Sequence, residues 1–186
     1  ALLPASVPIV SDYDDAVFHR YDRHKLGPVR WLLGQKIDQV MKRSQLVTAG
    51  NGYLADRARH ANAQRVEIVP TVVDLKQYTV RSEASTTPSA QVGWIGTPNT
   101  WHAFGQSLYA QLENTLSIHD ARFQAVGAQL AAESVGTLDI VPWSEETEVS
   151  AIQSMDIGVM PLINTPWARG KCGYKLIQYM ACGLPV

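Results

Sequence analysis

Runs of β-prone residues alternate with helical segments along this chain, and the alternation restarts after a polar interruption. Residues 7–70 predict the order strand, helix, strand, helix, strand, and residues 91–186 predict four further strands with helices between them. Strands that alternate with helices form parallel sheets, because each crossover helix returns the chain to the same edge of the sheet. The sequence therefore predicts an α/β fold with two parallel sheets flanked by helices.

A stretch rich in Ser, Thr and Pro at residues 81–90 separates the two halves. This composition is typical of a linker, so we predict one domain at 1–80 and a second domain at 91–186. The chain begins without Met and ends directly after a helix, and three strands are few for a free-standing domain of this kind. We therefore expect a piece of a longer protein, truncated at both ends.

The first long helix is predicted at residues 29–43. Its apolar positions are expected to face the core, and its basic positions to face solvent rather than a membrane. The apolar set is Trp31, Leu32, Ile37, Val40 and Met41, and the basic set is Lys36, Lys42 and Arg43. The other predicted elements are strands at 7–11, 45–49, 65–69, 91–95, 122–126, 137–141 and 155–160, and helices at 53–62 and 101–117.

A short, clearly delimited helix is predicted within residues 170–185. Gly183 is placed to end it in a left-handed conformation, and Pro185 prevents its continuation. Spacing by three and four residues puts Ile177, Met180 and Ala181 on the face expected to be buried.

Two lysines, Lys171 and Lys175, lie at the start of this helix, where free backbone N–H groups and the helix dipole are already positive. A phosphate there would be met by ammonium groups and loop N–H groups together, with Gly170 and Gly173 allowing a close approach. Alternatively, both lysines point into water or pair with nearby carboxylates. Spacing alone leaves the two interpretations open.

Composition narrows the class of function. A hydrophobic fraction of 46% is ordinary for a globular protein, and a net charge of -1 gives no signal for nucleic acid. The two cysteines, Cys172 and Cys182, do not form a CxxC pair, and the five histidines show no ligand spacing, so no metal site is predicted. No apolar run has the length of a membrane span, and no signal peptide is recognisable. We expect a cytoplasmic protein with reduced thiols.

Three further groups of residues fit either a structural or a functional role. Gly93 and Gly96 fail the spacing of a dinucleotide fingerprint, which favours a tight turn. Asp14 and Asp15 follow the first strand, where they either line a ligand-binding rim or cap a turn. Pro142 and Trp143 form either a hydrophobic plug or an edge against which a planar base rests.

Taken together, these motifs resemble the GT-B glycosyltransferases of the group 1, family 4 type. The matching runs are 93–96, Gly127, 156–162 and 171–186 in the second half, and 14–18 and 69–74 in the first. The run at 171–186 is the most specific, and the resemblance covers nearly the whole chain. It implies two partial Rossmann-like domains, the rear of an acceptor-side domain followed by the front of a donor-side domain.

The resemblance also implies which residues hold a nucleotide-sugar donor. The family fixes the donor diphosphate with loop N–H groups and basic side chains, and the nucleobase lies by a strand exit. In this sequence the diphosphate set is Gly96, Thr97, Lys171, Gly173 and Lys175, and the ribose and nucleobase set is Gln178, Pro142 and Trp143.

Members of the family commonly carry two glutamates, eight positions apart, that grip the sugar and the ribose. The corresponding residues here are Gly170 and Gln178. Gly170 has no side chain to offer, whereas the amide of Gln178 still donates and accepts hydrogen bonds.

The activity that the resemblance implies is hexosyltransferase-like transfer from a nucleotide-diphosphate-sugar to a saccharide or lipid-linked acceptor. It implies retention of anomeric configuration without a bound metal, because basic groups and a helix dipole neutralise the leaving diphosphate. No separate cofactor and no nucleic-acid partner are expected, no catalytic residue is assigned, and the chain alone is expected to be inactive. Peripheral association at the inner membrane face, through the missing N-terminal region, stays open. The alternative is a non-catalytic α/β nucleotide-binding module with a degenerate donor site.

Overall fold

A computed structural model describes residues 4, 7–82, 88–130 and 134–186, with only the backbone described at 134 and 135. The chain divides into two compact units, the first formed by residues 1–71 and 164–172 and the second by residues 72–163 and 173–186. Part of the predicted linker, 83–87, lies outside the described residues. The predicted domain boundaries at 80 and 91 stay a prediction.

The described elements are eight strands, nine α-helices and one π-helical turn. The strands are β1 (Val10–Tyr13), β2 (Leu46–Ala49), β3 (Val66–Ile68), β4 (Gln91–Ile95), β5 (Arg122–Val126), β6 (Ser134–Val135), β7 (Leu138–Val141) and β8 (Ile157–Gly158). The helices are α1 (His19–Asp22), α2 (Gly27–Leu33), α3 (Lys36–Arg43), α4 (Gly52–His60), α5 (Pro98–Thr100), the π-turn (Trp101–Gly105), α6 (Gln106–Ile118), α7 (Glu148–Gln153), α8 (Pro166–Arg169) and α9 (Tyr174–Ala181).

The first unit is built on a parallel three-stranded sheet in the order β1-β2-β3. Val47 of β2 lies opposite Ser11 of β1 and Val66 of β3. Helix α4 begins at an extended Asn51, whose side-chain oxygen accepts the backbone N–H of Leu54 at 3.0 Å. That cap satisfies a backbone donor which the helix itself leaves unpaired. The predicted parallel pairing of this sheet is confirmed.

The single helix predicted at residues 29–43 is wrong, because the chain forms two helices, α2 and α3, interrupted at Gly34. The N–H of Gly34 closes α2 on the carbonyl oxygen of Arg30 at 2.9 Å. The apolar face expected for one continuous helix therefore does not exist. Met41 is fully buried, but Trp31 is 88% and Leu32 is 72% exposed.

The second unit is built on a five-stranded sheet in the order β6-β7-β5-β4-β8. Strands β4, β5, β7 and β8 pair in parallel, and the two-residue β6 runs antiparallel to β7 at one edge. The strands predicted at 91–95, 122–126 and 137–141 are confirmed within one residue. The strand predicted at 155–160 is shorter, since β8 covers only Ile157–Gly158.

Aromatic side chains fill the core of the second unit on one side of the sheet. The rings of Trp94 and Trp101 lie 5.3 Å apart, and Trp101 lies 6.1 Å from Phe123. All three are at least 99% buried. Because tilted aromatic pairs of this kind combine large buried area with favourable ring contacts, they fix the spacing of β4, β5 and the following helix.

The end of helix α9 is as predicted. Gly183 is left-handed, with φ of 80°. Its N–H bonds to the carbonyl of Met180 at 3.0 Å, and the N–H of Leu184 bonds to the carbonyl of Tyr179 at 3.0 Å. These two bonds form a Schellman motif, in which glycine is favoured because it adopts positive φ without strain.

The buried face predicted for α9 is confirmed in part: Ile177 and Ala181 are half-buried, and Ala181 packs against the core, but the prediction for Met180 is wrong. Met180 is 52% exposed, whereas Gln178, Tyr179 and Cys182 are 3%, 0% and 0% exposed. The hydroxyl of Tyr179 accepts the backbone N–H of Ile95 at 3.1 Å, so this polar side is the one anchored to β4. The adjacent Gln178 and Tyr179, together with Cys182, are thus the buried positions of α9, with Leu176 and Ala181 half-buried beside them.

No described helix is both long and apolar enough to cross a membrane.

Candidate functional site

A cleft of about 510 Å³ opens in the second unit where strands β4, β5 and β7 end. Its walls are formed by the segments that follow these strands and by helices α7 and α9. Ligands of open α/β sheets bind outside the carboxyl ends of the strands, so this is the expected position for a site. The lining residues are Ile95, Gly96, Thr97, Pro98, Gly127, Ala128, Gln129, Pro142, Trp143, Glu148, Tyr174, Lys175 and Gln178.

The floor of the cleft is main chain contributed by two glycines. Gly96 donates its N–H to Val126 at 3.0 Å, and Gly127 donates its N–H to Val141 at 2.8 Å. Gly127 is left-handed, with φ of +76°, and a Cβ placed on it would lie 2.2 Å from the carbonyl oxygen of Gly96. Only glycine fits this close approach of two strand exits.

Lys175 forms the basic corner of the cleft. Its ammonium lies 4.5 Å from the ring centroid of Trp94, within the range of a cation–π contact. A Cβ on Gly96 would lie 2.6 Å from that ammonium nitrogen. The missing side chain at Gly96 therefore makes room for the lysine to reach the end of β4.

Thr97 caps the helical run that starts at Pro98. The Thr97 N–H donates to the hydroxyl of Thr100 at 3.0 Å, and the Thr100 N–H donates to the hydroxyl of Thr97 at 3.3 Å. The backbone N–H groups of Gly96 and Thr97 are thus both hydrogen-bonded within the protein. Of the diphosphate set, Lys175 is the residue that brings a formal positive charge to the cleft.

Glu148, on helix α7, is a carboxylate in the lining of the cleft. One oxygen, Oε1, accepts the hydroxyl of Tyr78 and, at 2.8 Å, the amide N–H of Gln178. The other oxygen, Oε2, accepts the indole N–H of Trp143 at 2.5 Å. One side chain on α7 therefore ties together the segment after β7, helix α9 and the segment around residue 78.

Trp143 presents an aromatic surface at the mouth of the cleft. Its side chain is 52% exposed, although its indole N–H is held by Glu148. A hydrophobic plug would be buried, so this exposure weakens that interpretation. A fixed and accessible indole is the kind of platform on which a planar ring stacks.

The side chain of Gln178 points toward Glu148. Its amide nitrogen donates to the hydroxyl of Tyr78 and to Glu148, both at 2.8 Å, and its side chain is 3% exposed. Burial, together with the hydrogen bond to Glu148, raises the pKa of Tyr78 far above its usual range. Tyr78 therefore stays protonated and donates to the carboxylate.

Lys171, the other predicted lysine, belongs to the first unit. Its ammonium pairs with Oδ1 of Asp15 at 2.8 Å and with Oδ2 at 3.1 Å. Its backbone carbonyl accepts the side-chain amide of Asn51 at 3.2 Å. The structure therefore places Lys171 in an ion pair within one unit and Lys175 in the cleft of the other.

Two further positions singled out in the sequence have conformational roles. Gly173 is the left-handed residue preceding α9, with φ of 71°. Gly170 is packed against Ala16 of its own unit, and a Cβ on it would lie 2.6 Å from the Ala16 Cβ and 2.7 Å from the Ala16 nitrogen. The position matched to one family glutamate is therefore closed to any side chain.

The first unit contains a larger cavity, of about 710 Å³, among helices α1 to α4. Three of the charged side chains that line it, Arg57, Asp38 and Asp22, form ion pairs with one another. Arg57 bonds to Asp38 at 2.7 Å and to Asp22 at 3.1 Å, and Asp22 also bonds to His19 at 2.8 Å. Because these charges are mutually satisfied and the cavity lies among helices, the smaller cleft at the strand ends is the stronger candidate.

The structure brings together six of the eight site residues named from the sequence: Gly96, Thr97, Lys175, Gln178, Pro142 and Trp143 line one cleft. Sequence reasoning missed Glu148 and Tyr78. A buried glutamine on α9 requires a polar partner, and a carboxylate just after the strand exit at Trp143 was the available signal. Within the described ranges, no cluster of three or more His, Cys, Asp or Glu is placed to hold a metal ion.

Comparison with known proteins gives a likeness of fold. No protein-family model matches the sequence, and no curated protein matches it. Among solved structures, the chain is similar to a trehalose-6-phosphate synthase, OtsA, with 10% sequence identity and a TM-score of 0.52 over 86% of this chain and 52% of that one. An apo structure of OtsA matches with 10% identity and a TM-score of 0.50, covering 86% and 53%.

These matches confirm the predicted α/β class, with parallel sheets flanked by helices, similar to OtsA. The chain spans about half the length of the two solved structures. At 10% identity the likeness shows the fold alone. Membership of group 1 stays a prediction.

Proposed function

We propose that this chain is part of a glycosyltransferase and that the cleft of the second unit binds the nucleoside diphosphate of a sugar donor. One observation carries the proposal: a lysine ammonium and a fixed, exposed indole face the same cleft at the carboxyl ends of a parallel sheet. A nucleoside diphosphate has the matching pair of features, an anionic end and a planar aromatic end. The GT-B-like fold supports the same class of ligand.

The diphosphate lies at the Lys175 corner. Because Gly96 has no side chain, the ammonium can approach the end of β4, where Thr97 starts a capped helical run. A charge-assisted hydrogen bond from this ammonium to a phosphate oxygen contributes roughly 1.5–3 kcal/mol. The hydroxyl of Thr97 is a second contact for a phosphate oxygen.

The nucleobase lies at the Trp143 end. A base stacked on an accessible aromatic ring gains roughly 1–3 kcal/mol, with little preference among bases. Pro142 borders the same edge. At the ribose end Gln178 acts indirectly: its amide nitrogen is bonded to Glu148 and Tyr78, and it thereby helps to hold the carboxylate that fixes Trp143.

The whole protein, in this proposal, transfers a hexose to a saccharide or lipid-linked acceptor with retention and without a bound metal. The leaving diphosphate is neutralised by Lys175 and takes part in deprotonating the acceptor. Product configuration determined by NMR, and turnover retained after chelation of divalent cations, test these two finer statements on the full-length natural protein.

Titration calorimetry of UDP, GDP and ADP against the 186-residue chain tests the binding step. Lys175→Gln and Trp143→Ala are each expected to weaken binding by about tenfold or more. Lys36→Gln is the matched control, since the Lys36 ammonium also lies over an aromatic ring, 5.0 Å from Tyr21, but in the first unit. Absence of binding, or equal weakening by all three changes, overturns the proposal.

Lys171→Gln separates the sequence-based hypothesis from the present geometry. If Lys171 contacts the diphosphate, its removal lowers affinity as much as removal of Lys175 does. Its ion pair with Asp15 instead predicts a smaller effect on affinity and a loss of stability of the first unit.

A second candidate function is a non-catalytic nucleotide-binding module. The observation that favours it is Gly170, which is packed too tightly against Ala16 to have a side chain that grips a sugar. Binding of nucleoside diphosphates by the full-length protein without hydrolysis of, or transfer from, any of a panel of nucleotide-sugars supports this candidate. Turnover of any donor in the panel excludes it.

A further inference from the structure

Residues 74–81 form a segment of the second unit that is held against helices α7 and α9. The segment begins with a turn, in which the N–H groups of Gln77 and Tyr78 donate to the carbonyl oxygen of Asp74 at 3.0 and 2.9 Å. Tyr78 anchors it, since this side chain is 4% exposed and belongs to the core cluster that includes Ile152 of α7. We call residues 74–81 the Tyr78 segment.

The end of the segment is fixed by three further hydrogen bonds. Gln153, the last residue of α7, donates its side-chain amide to the carbonyl oxygen of Thr79 at 2.7 Å. Arg81 donates to the carbonyl oxygen of Met155 at 2.8 Å and forms an ion pair with Asp156 at 3.2 Å. None of these five described residues lines the cleft. The segment is therefore attached to the second unit by contacts that a ligand in the cleft does not touch.

The hydroxyl of Tyr78, by contrast, bonds to two residues of the cleft lining. It donates to Oε1 of Glu148 and accepts the side-chain amide N–H of Gln178 at 2.8 Å. The other oxygen of the same carboxylate, Oε2, accepts the indole N–H of Trp143. A chain of hydrogen bonds therefore runs from the Tyr78 segment through Glu148 to the exposed indole at the mouth of the cleft.

We propose that Tyr78 is a positioning residue for the nucleotide, and that it couples the Tyr78 segment to occupancy of the cleft. This role rests on the proposed function, because it takes a nucleoside diphosphate as the ligand of the cleft. While the segment is bound, the Tyr78 hydroxyl helps to fix the carboxylate that orients Trp143, so the base meets a platform that is already in position. When the segment is released, Glu148 loses one of its three donors and holds Trp143 less firmly.

The coupling acts in both directions. If a bound segment strengthens nucleotide binding by some factor, a bound nucleotide strengthens attachment of the segment by the same factor. A side chain that only fills the core would stabilise the fold equally with and without nucleotide. Protection of the segment that depends on the nucleotide therefore distinguishes a positioning role from a purely structural one.

Hydrogen exchange of the 186-residue chain, measured by mass spectrometry with and without nucleotide, tests this coupling. The probe is whichever of UDP, GDP and ADP binds most tightly in titration calorimetry. Bound nucleotide is expected to slow exchange in the Tyr78 segment by about threefold to tenfold, the net effect of one hydrogen bond. In Tyr78→Phe, which keeps the buried ring, the nucleotide still binds but this protection is lost. The turn at residues 118–121, at the end of α6, is the reference, and its exchange should not change.

Arg81 tests the coupling from outside the cleft. Arg81→Gln loosens the end of the segment and is expected to lower nucleotide affinity by about threefold or more. Arg122→Gln is the matched control, since Arg122 also forms an ion pair in the second unit, with Asp139, and should leave affinity unchanged. In the double variant Tyr78→Phe with Arg81→Gln, the two losses of affinity should be less than additive, because either change interrupts the same chain of bonds.

Three results overturn the coupling and leave the donor site in place. These are nucleotide binding without added protection of the Tyr78 segment, equal protection in wild type and in Tyr78→Phe, or a loss of affinity in Arg81→Gln no larger than in Arg122→Gln. Failure of UDP, GDP and ADP all to bind overturns both the role of Tyr78 and the proposed donor site.

Discussion

The indole N–H of Trp143 donates a 2.5 Å hydrogen bond to Oε2 of Glu148, so an exposed aromatic ring is held by a carboxylate on the following helix. The other oxygen of the same carboxylate accepts from Tyr78 and Gln178. The orientation of the platform at the cleft mouth therefore depends on a residue that need not touch a ligand.

Glu148→Gln should lower both stability and nucleotide affinity. A glutamine places an amide nitrogen where the carboxylate accepts, so at least one of its three donors loses its partner. We expect a loss of about 1–3 kcal/mol in the free energy of unfolding, measured by denaturant titration. Affinity for nucleoside diphosphates should fall as well, because Trp143 is no longer fixed. The exposed Glu145→Gln is the control, and equal behaviour of the two variants would refute this role.

Gln178→Glu should be destabilising at neutral pH, although it restores the residue typical of the family. The new carboxylate would lie near the 2.8 Å position now occupied by an amide donor to Glu148. Two such carboxylates cannot both ionise cheaply, so the pKa of one rises in the folded state. The carboxyl group with the raised pKa contributes stability that is fully present below its unfolded pKa of about 4. That contribution is lost as pH rises through its folded pKa. The deficit relative to wild type should thus shrink in acid.

Exchanging the two residues checks the cause of that deficit. Glu148→Gln combined with Gln178→Glu restores one carboxylate and one amide to the pair. We expect the double variant to be more stable than Gln178→Glu alone at neutral pH. A double variant that is no more stable would show that repulsion is not the reason.

Gly170→Ala should destabilise the first unit. The added methyl group would lie 2.7 Å from the backbone nitrogen of Ala16, and neither backbone segment moves easily. Overpacking of this kind costs about 1–3 kcal/mol. Gly52→Ala in the same unit meets no atom within 4 Å and should be neutral or slightly stabilising. Thermal unfolding of both variants decides, and equal melting temperatures would contradict the packing argument.

Tyr78→Phe should cost stability mainly below the ordinary pKa of tyrosine. The folded-state pKa of Tyr78 is raised, so its protonated hydroxyl contributes stability that is fully present below pH of about 10 and is lost as pH rises further. The difference in unfolding free energy between wild type and the variant should therefore narrow in alkaline solution. A difference that stays constant from neutral to strongly alkaline pH would argue against a buried hydroxyl donating to Glu148.

The strand pattern was predictable because local composition determines it. Strands β4 and β5 contain β-branched and aromatic residues, and each is followed by a glycine. Both strands lie where the sequence predicts them. The left-handed end at Gly183 was equally local, since glycine followed by proline signals a helix stop. These features depend on neighbours within a few residues.

The wrong and missed features depend on tertiary contacts. Gly34 is only a weak local signal for the end of a helix, and the exposure of Trp31 is decided by the fold. Glu148 lies in the first turn of α7, where a carboxylate is common, and only the fold brings it to Gln178, thirty positions away. The pairing of Lys171 with Asp15 is likewise a contact between residues far apart in the sequence.

Two glycines in the lining of the cleft, Gly96 and Gly127, are each tied to a neighbouring strand through their backbone N–H groups. Substitutions at Trp143, Gln129 or Tyr174 can therefore change the rim of the cleft without changing the backbone at the two glycines. A library randomised at those three rim positions should yield folded proteins with altered ligand preference. Substitutions at the two glycines should instead yield proteins that fold poorly.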